Sequence, residues 1–141
     1  MTATYAQATD DILGVFKTAW DTTGWDAVYT NVATPQKPPT GSDPWARVTL
    51  QHVTGNQASL TGGLGTARYS RAGILTIQIF TPAGEGLLEA HNLAKIITDA
   101  FEGTATANGV WFRNARVNEI GPDGDWYQVN VLIDFTYDEV K

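Results

Sequence analysis

The stretch Trp126-Tyr127-Gln128-Val129-Asn130-Val131-Leu132-Ile133-Asp134-Phe135-Thr136-Tyr137 is the cleanest strand pattern in the chain. Successive side chains of a strand leave opposite faces of the sheet. Tyr127, Val129, Val131, Ile133, Phe135 and Tyr137 therefore line one face, and Trp126, Gln128, Asn130, Asp134 and Thr136 the other. One face is core and the other polar, as in an antiparallel sheet covered by helices on a single side.

Working outward, Gly109–Ile120 reads as the strand before it, joined by a turn over Gly121–Asp125 that holds Pro122 and the Asp123-Gly124 pair. Upstream, Gly86–Glu102 reads as a helix, preceded by a turn over Pro82–Gly86. Leu87, Ala90, Leu93, Ala94, Ile97, Ala100 and Phe101 form its apolar face, Lys95 and Asp99 are spaced as an i,i+4 pair, and Gly103 stands where a C′ glycine belongs. Two longer strands come before this helix, Trp45–Thr54 and Arg68–Thr81. Ala46, Val48 and Leu50 share a face of the first, and Leu75, Ile77 and Ile79 share a face of the second. Their natural pairing is a hairpin with a long tip over Gly55–Ala67, far beyond the usual two to five residues.

At the start of the chain, Tyr5, Ala8, Ile12, Phe16 and Ala19 recur at three- and four-residue steps, which predicts a helix over Tyr5–Trp20. Thr4 is placed to cap it and Thr22-Thr23-Gly24 to stop it; Gly14 falls on its polar side. Trp25–Asn31 reads as a short strand, and Val32–Asp43, with three of the six prolines, as an extended loop. The order α-β-β-β-α-β-β gives an α+β fold: a mostly antiparallel β-sheet with two α-helices packed on one face.

The 141 residues suit one domain over 1–141, and 43% hydrophobic residues are enough for a core. The absence of cysteine removes disulfides, thiolate catalysis and cysteine-based metal sites. Met1–Gln7 carries no basic residue and no apolar run follows, so no secretory leader is expected there, and no apolar stretch is long enough to cross a bilayer. Charge is uneven. Met1–Asp43 is net −3 and Glu85–Lys141 net −6, whereas Pro44–Gly84 contains no acid and its Arg47, Arg68 and Arg71 make it +3. Unlike surfaces of this kind suit head-to-tail contact between copies.

The search for chemistry is short. His52 and His91 have no partner ligands nearby in sequence. The Gly-rich run Thr61–Arg68 lacks the Lys-Ser/Thr of a phosphate loop and the third glycine of a dinucleotide fingerprint, and a strand, not a helix, follows it. Asp123-Gly124-Asp125 lacks the further oxygen ligands of a calcium loop. Ser42, Ser59 and Ser70 sit in no nucleophile elbow. Nine bases against fifteen acids is the wrong balance for gripping phosphates. No catalytic residue, cofactor site or metal site is expected, and the chain reads as a non-enzyme. Pattern does not decide whether Trp45, Trp111 and Trp126 are buried or exposed; an exposed one would mark a protein interface.

One further set of features carries a resemblance. Tyr29-Thr30-Asn31 and the proline loop lead into Trp45-Ala46-Arg47-Val48. Arg68-Tyr69-Ser70-Arg71-Ala72-Gly73-Ile74-Leu75 and Ile77-Gln78-Ile79-Phe80-Thr81-Pro82 follow the glycine-rich tip. Ala94-Lys95-Ile96, Glu119-Ile120-Gly121 and Asp125-Trp126-Tyr127-Gln128 complete the pattern. Over nearly its whole length the chain resembles the phage tail terminator-like (tail completion) proteins of long non-contractile-tailed phages and prophages.

That resemblance implies a non-enzymatic ring, usually of six copies, on the head-proximal end of the tail tube. The implied partners are further copies of itself, the major tail tube protein and a head-completion or connector protein. DNA would only pass through the lumen, and no membrane is involved. The implied location is the head–tail junction of the virion, after assembly in the host cytoplasm; such proteins can stay monomeric until they meet the tube. A globule of this length is about 37 Å wide. Six touching globules leave a hole of about that width, enough for a duplex roughly 20 Å across. The hairpin tip is the expected contact, through Leu60, Leu64, Arg68, Tyr69 and Arg71. Two alternatives are another neck or connector component, and a small-ligand module with a deep pocket beneath the helices.

Overall fold

A computed structural model describes residues 2–30, 43–59 and 67–141. Helix α1 spans Tyr5–Trp20, as its periodicity predicts. The Thr4 hydroxyl accepts from the Gln7 amide at 3.2 Å and the Gln7 side chain accepts from the Thr4 amide at 3.0 Å, a reciprocal capping box. A single 3₁₀ turn over Asp21–Thr23 ends it, and Gly24 supplies the left-handed residue at φ 77°. Ala8, Ile12, Phe16 and Trp20 are the buried stripe.

Strand β1 (Asp26–Tyr29) pairs in parallel with β2 (Trp45–Gln57). β2 forms the expected antiparallel hairpin with β3 (Arg68–Pro82). Helix α2 (Leu88–Phe101) leads to β4 (Trp111–Asp123) and β5 (Trp126–Val140). The sheet order is β1-β2-β3-β5-β4, so β3 and β5 are central and β1 and β4 are edges. The α+β class and the element order match the sequence reading.

Both helices cover the same face. Ile12, Phe16 and Trp20 of α1 and Leu93, Ala94, Ile97 and Phe101 of α2 are buried in one cluster with Val48, Leu75, Ile77, Ile79, Val131, Ile133 and Phe135 of the sheet. That shared interior fills the space where a deep ligand pocket would lie. It also explains why short helices persist here: their stability comes from this packing, not from propensity.

Several boundaries move, each for a local reason. β2 runs three residues past Thr54, because a register shift between His52 and Thr54 lets Val53 bulge out while pairing resumes. α2 starts at Leu88 instead of Gly86. Gly84 and Gly86 are both left-handed, so Leu87, expected on the apolar face, lies outside the helix and is exposed. β4 starts two residues after Gly109 but continues to Asp123, which leaves a two-residue turn, Gly124-Asp125, with φ 62° at Gly124. Pro122 is tolerated because β4 is an edge.

The second face is not uniformly polar. At one end, Trp45 and Phe80 stack at 4.1 Å with Val28 and Trp126 around them, and Arg47 lies over both rings. Trp126, assigned to the polar side by alternation, is thus half-buried in a small aromatic cluster. The expected Val32–Asp43 loop and the centre of the hairpin tip lie outside the described residues, Asp43 excepted.

Candidate protein-binding surface

Strand alternation divides the expected contact residues. Leu60 and Leu64 lie outside the described residues. Tyr69 and Arg71 project toward the helix side of β3, and Arg68 toward the open face. Among the three described, Arg68 therefore stands on the opposite face of the sheet from Tyr69 and Arg71.

On the helix side, Arg71 is 7% exposed, and its Nη2 donates to the Glu139 carboxylate at 3.0 Å. That bond holds the guanidinium above its ordinary, already high pKa, against the cost of burial. Its carbon lies 5.1 Å from the Tyr5 ring centre and 5.3 Å from that of Tyr69. Gly55 makes the room: a Cβ there would stand 2.6 Å from Arg71 Nη1. Beside this group, His52 Nε2 is 2.7 Å from the Tyr137 hydroxyl. Burial, then the charge of Arg71, lowers the His52 pKa. Burial also pushes Tyr137 up to about 12. Arg71 and Tyr69 thus tie the base of the hairpin to the start of α1 and the end of β5.

The open face at the same end has a different character. Arg68 Nη1 reaches Asp138 at 3.4 Å, and Arg113 Nη2 donates to the Thr136 hydroxyl at 3.1 Å. Trp111, on edge strand β4, is 62% exposed. With Ser70 and Ala105 these side chains line a cleft of about 460 Å³. A large exposed aromatic between two arginines is a composition enriched at protein interfaces. Asp138 offsets one of the two positive charges.

The cleft adds residues that the sequence reading missed. Arg113 belongs to none of the motifs the sequence offers, and alternation alone does not decide the exposure of Trp111. The signal was present: in a strand, an inward Phe112 forces Trp111 and Arg113 outward. It was obscured by the bulge between Arg113 and Arg116, where Asn114 takes φ 57° and its amide bonds Asp134 at 3.1 Å. The same bulge interrupts the regular edge of β4, a common guard against indiscriminate strand pairing.

The chemical candidates have structural surroundings. His91 Nε2 meets Glu119 at 2.9 Å on the surface, and this hydrogen bond lowers the Glu119 pKa. Asp123-Gly124-Asp125 forms the β4–β5 hairpin turn. Most of the Gly-rich run lies outside the described residues, and from Arg68 onward the chain is strand. Among the described residues, no three side chains of metal-ligating type come together, and no helix is long and apolar enough to cross a membrane.

Comparison with known proteins agrees with this architecture. A family model described as phage tail terminator protein matches residues 11–135. No curated protein sequence matches. A solved structure without a descriptive name overlays with a TM-score of 0.61 at 17% identity, covering 92% of this chain and 94% of its own, a likeness of fold. A chain from the virion of a native gene transfer agent particle gives a TM-score of 0.47 at 18% identity, covering 89% of this chain and 82% of its own.

Proposed function

Because this chain belongs to the phage tail terminator family, we propose that it closes the head-proximal end of a tail tube. Six copies form a ring on the last layer of the tube and halt its polymerisation. The ring then presents a surface to a head-completion or connector protein. Its partners are its own copies, the major tail tube protein and that head-side protein; DNA passes through the lumen without being held. The work is done at the head–tail junction of the virion, following assembly in the host cytoplasm, and it requires no bond to be made or broken.

The observation that supports this reading is the uneven use of the sheet. One face is closed by the protein's own helices, while the other carries Trp111, Arg68 and Arg113 on a surface that stays exposed among the described residues. An exposed tryptophan of that kind gains most when another protein surface removes it from water. The net charge of −6 is also compatible with a lumen through which a polyanion slides.

Electron microscopy of particles from a strain lacking this gene is the direct test. Overlong or headless tails are expected. Tails of normal length joined to heads would sink the assignment.

A further inference from the structure

The Trp111 cleft has a counterpart at the other end of the same molecule. There the Ala83 amide donates to the Asp125 carbonyl at 2.9 Å, which sets the β4–β5 turn, with Asp123 and Asp125, beside the approach to α2, with Glu85 and Glu89. Leu87 and Leu88, which lie between Glu85 and Glu89 in the chain, are 45% and 75% exposed. Arg47, at that end too, is folded over the Trp45 and Phe80 rings. One end therefore offers exposed leucine flanked in the chain by Glu85 and Glu89, and the other an exposed tryptophan beside two guanidinium groups. Among the described residues, that of Arg68 is paired with Asp138 and that of Arg113 is not ion-paired. The two surfaces match in both charge and polarity.

We infer that the start of α2 from a second copy, led by Leu88 and flanked by Glu85 and Glu89, docks in the cleft formed by Trp111, Arg68 and Arg113. This contact rests on the ring reading and gives it a direction. A two-fold dimer through the cleft would bring arginines against arginines, whereas a head-to-tail contact brings unlike groups together. A head-to-tail contact also leaves one copy with a free cleft and the other with a free α2 start, which is the condition for closing a ring. The leucine and tryptophan supply the desolvated centre of the contact, and the charges around them supply its orientation.

The chain contains no cysteine, which makes crosslinking clean. Two chains are prepared, Ala105→Cys in the cleft and Asn92→Cys one turn beyond Leu88, both at exposed positions. They are mixed with a short bis-maleimide. The mixed dimer is expected to exceed either self-dimer about tenfold, and to decline at high salt. Trp111→Ala in the Ala105→Cys chain should reduce it to background. Arg113→Glu in that chain should reduce it too, with recovery when the Asn92→Cys chain carries Glu89→Arg. Thermal melts of each variant verify folding.

Self-dimers as abundant as the mixed dimer, or no product up to millimolar protein, would overturn the contact. Rings seen by microscopy without the mixed crosslink would overturn this contact alone and leave the terminator reading intact. Normal tails in the deletion strain would remove the terminator reading, while the crosslink would still report whether copies meet this way.

Discussion

His52 shows how one side chain links pH to the stability of the hairpin base. It faces the Tyr137 hydroxyl, the Tyr5 ring and the guanidinium of Arg71, whose own partner is Glu139. Burial and the neighbouring positive charge both disfavour the imidazolium, so the folded protein holds this pKa below its ordinary 6.5. As pH falls through 6.5, the unfolded chain takes up a proton before the folded one does. Stability is therefore full above 6.5, declines as pH drops toward the folded pKa, and levels off below it. Melting temperatures between pH 7.5 and 5.5 should fall more for the native protein than for His52→Gln. Superimposable curves for the two would show that His52 is indifferent to its charge. Arg71→Ala acts at the same place by another route: it strands the Glu139 carboxylate, whose side chain is 14% exposed, and should cost up to about 3 kcal/mol.

At the scale of elements, β3 is constrained from both sides, because it is paired along its length with β2 and β5. Gly73 lies opposite His52 on one side and Phe135 on the other. A Cβ there would overlap both the Gln51 carbonyl oxygen and the Phe135 ring, so the ring occupies the space where a side chain would stand. Gly73→Ala should destabilise by about 3 kcal/mol, read as a lower denaturant midpoint at unchanged slope. A midpoint equal to that of the native protein would mean that β2 and β5 can part without cost. The strands and helices themselves were largely legible, because periods of 2.0 and 3.6 encode burial directly. Alternation assigned Ala46, Val48, Leu75, Ile77 and Ile79 to the core side, and spacing found the ends of α1. What escaped was non-local. No local pattern announces that β1 runs parallel to β2, or that Trp45 stacks on Phe80 from the next strand. The cleft was hidden for the same reason: Arg68 and Arg113 are neighbours only after β5 is inserted between their strands.

For the whole molecule, the question is whether the hairpin tip serves the subunit or the assembly. The β2–β3 ladder is paired to Gln57 and Tyr69, and the Ala58 amide still donates to the Arg68 carbonyl at 2.7 Å. The subunit's own pairing thus continues to Ala58 and Arg68, and the ladder can be closed just beyond them. Replacing residues 59–67 by Asn-Gly would give a two-residue loop of the kind that fits the twist of paired strands. Lys141 would keep a backbone carbonyl to donate to in place of that of Ala67. The shortened protein should melt within a few degrees of the native one, a change of about 1 kcal/mol or less. If Leu60 and Leu64 reach the tube or a neighbouring copy, a strain carrying only this variant should make overlong tails although the protein is folded and abundant. Tails of normal length would assign capping to the described surface alone. A collapse in melting temperature would instead make the tip part of the subunit's fold.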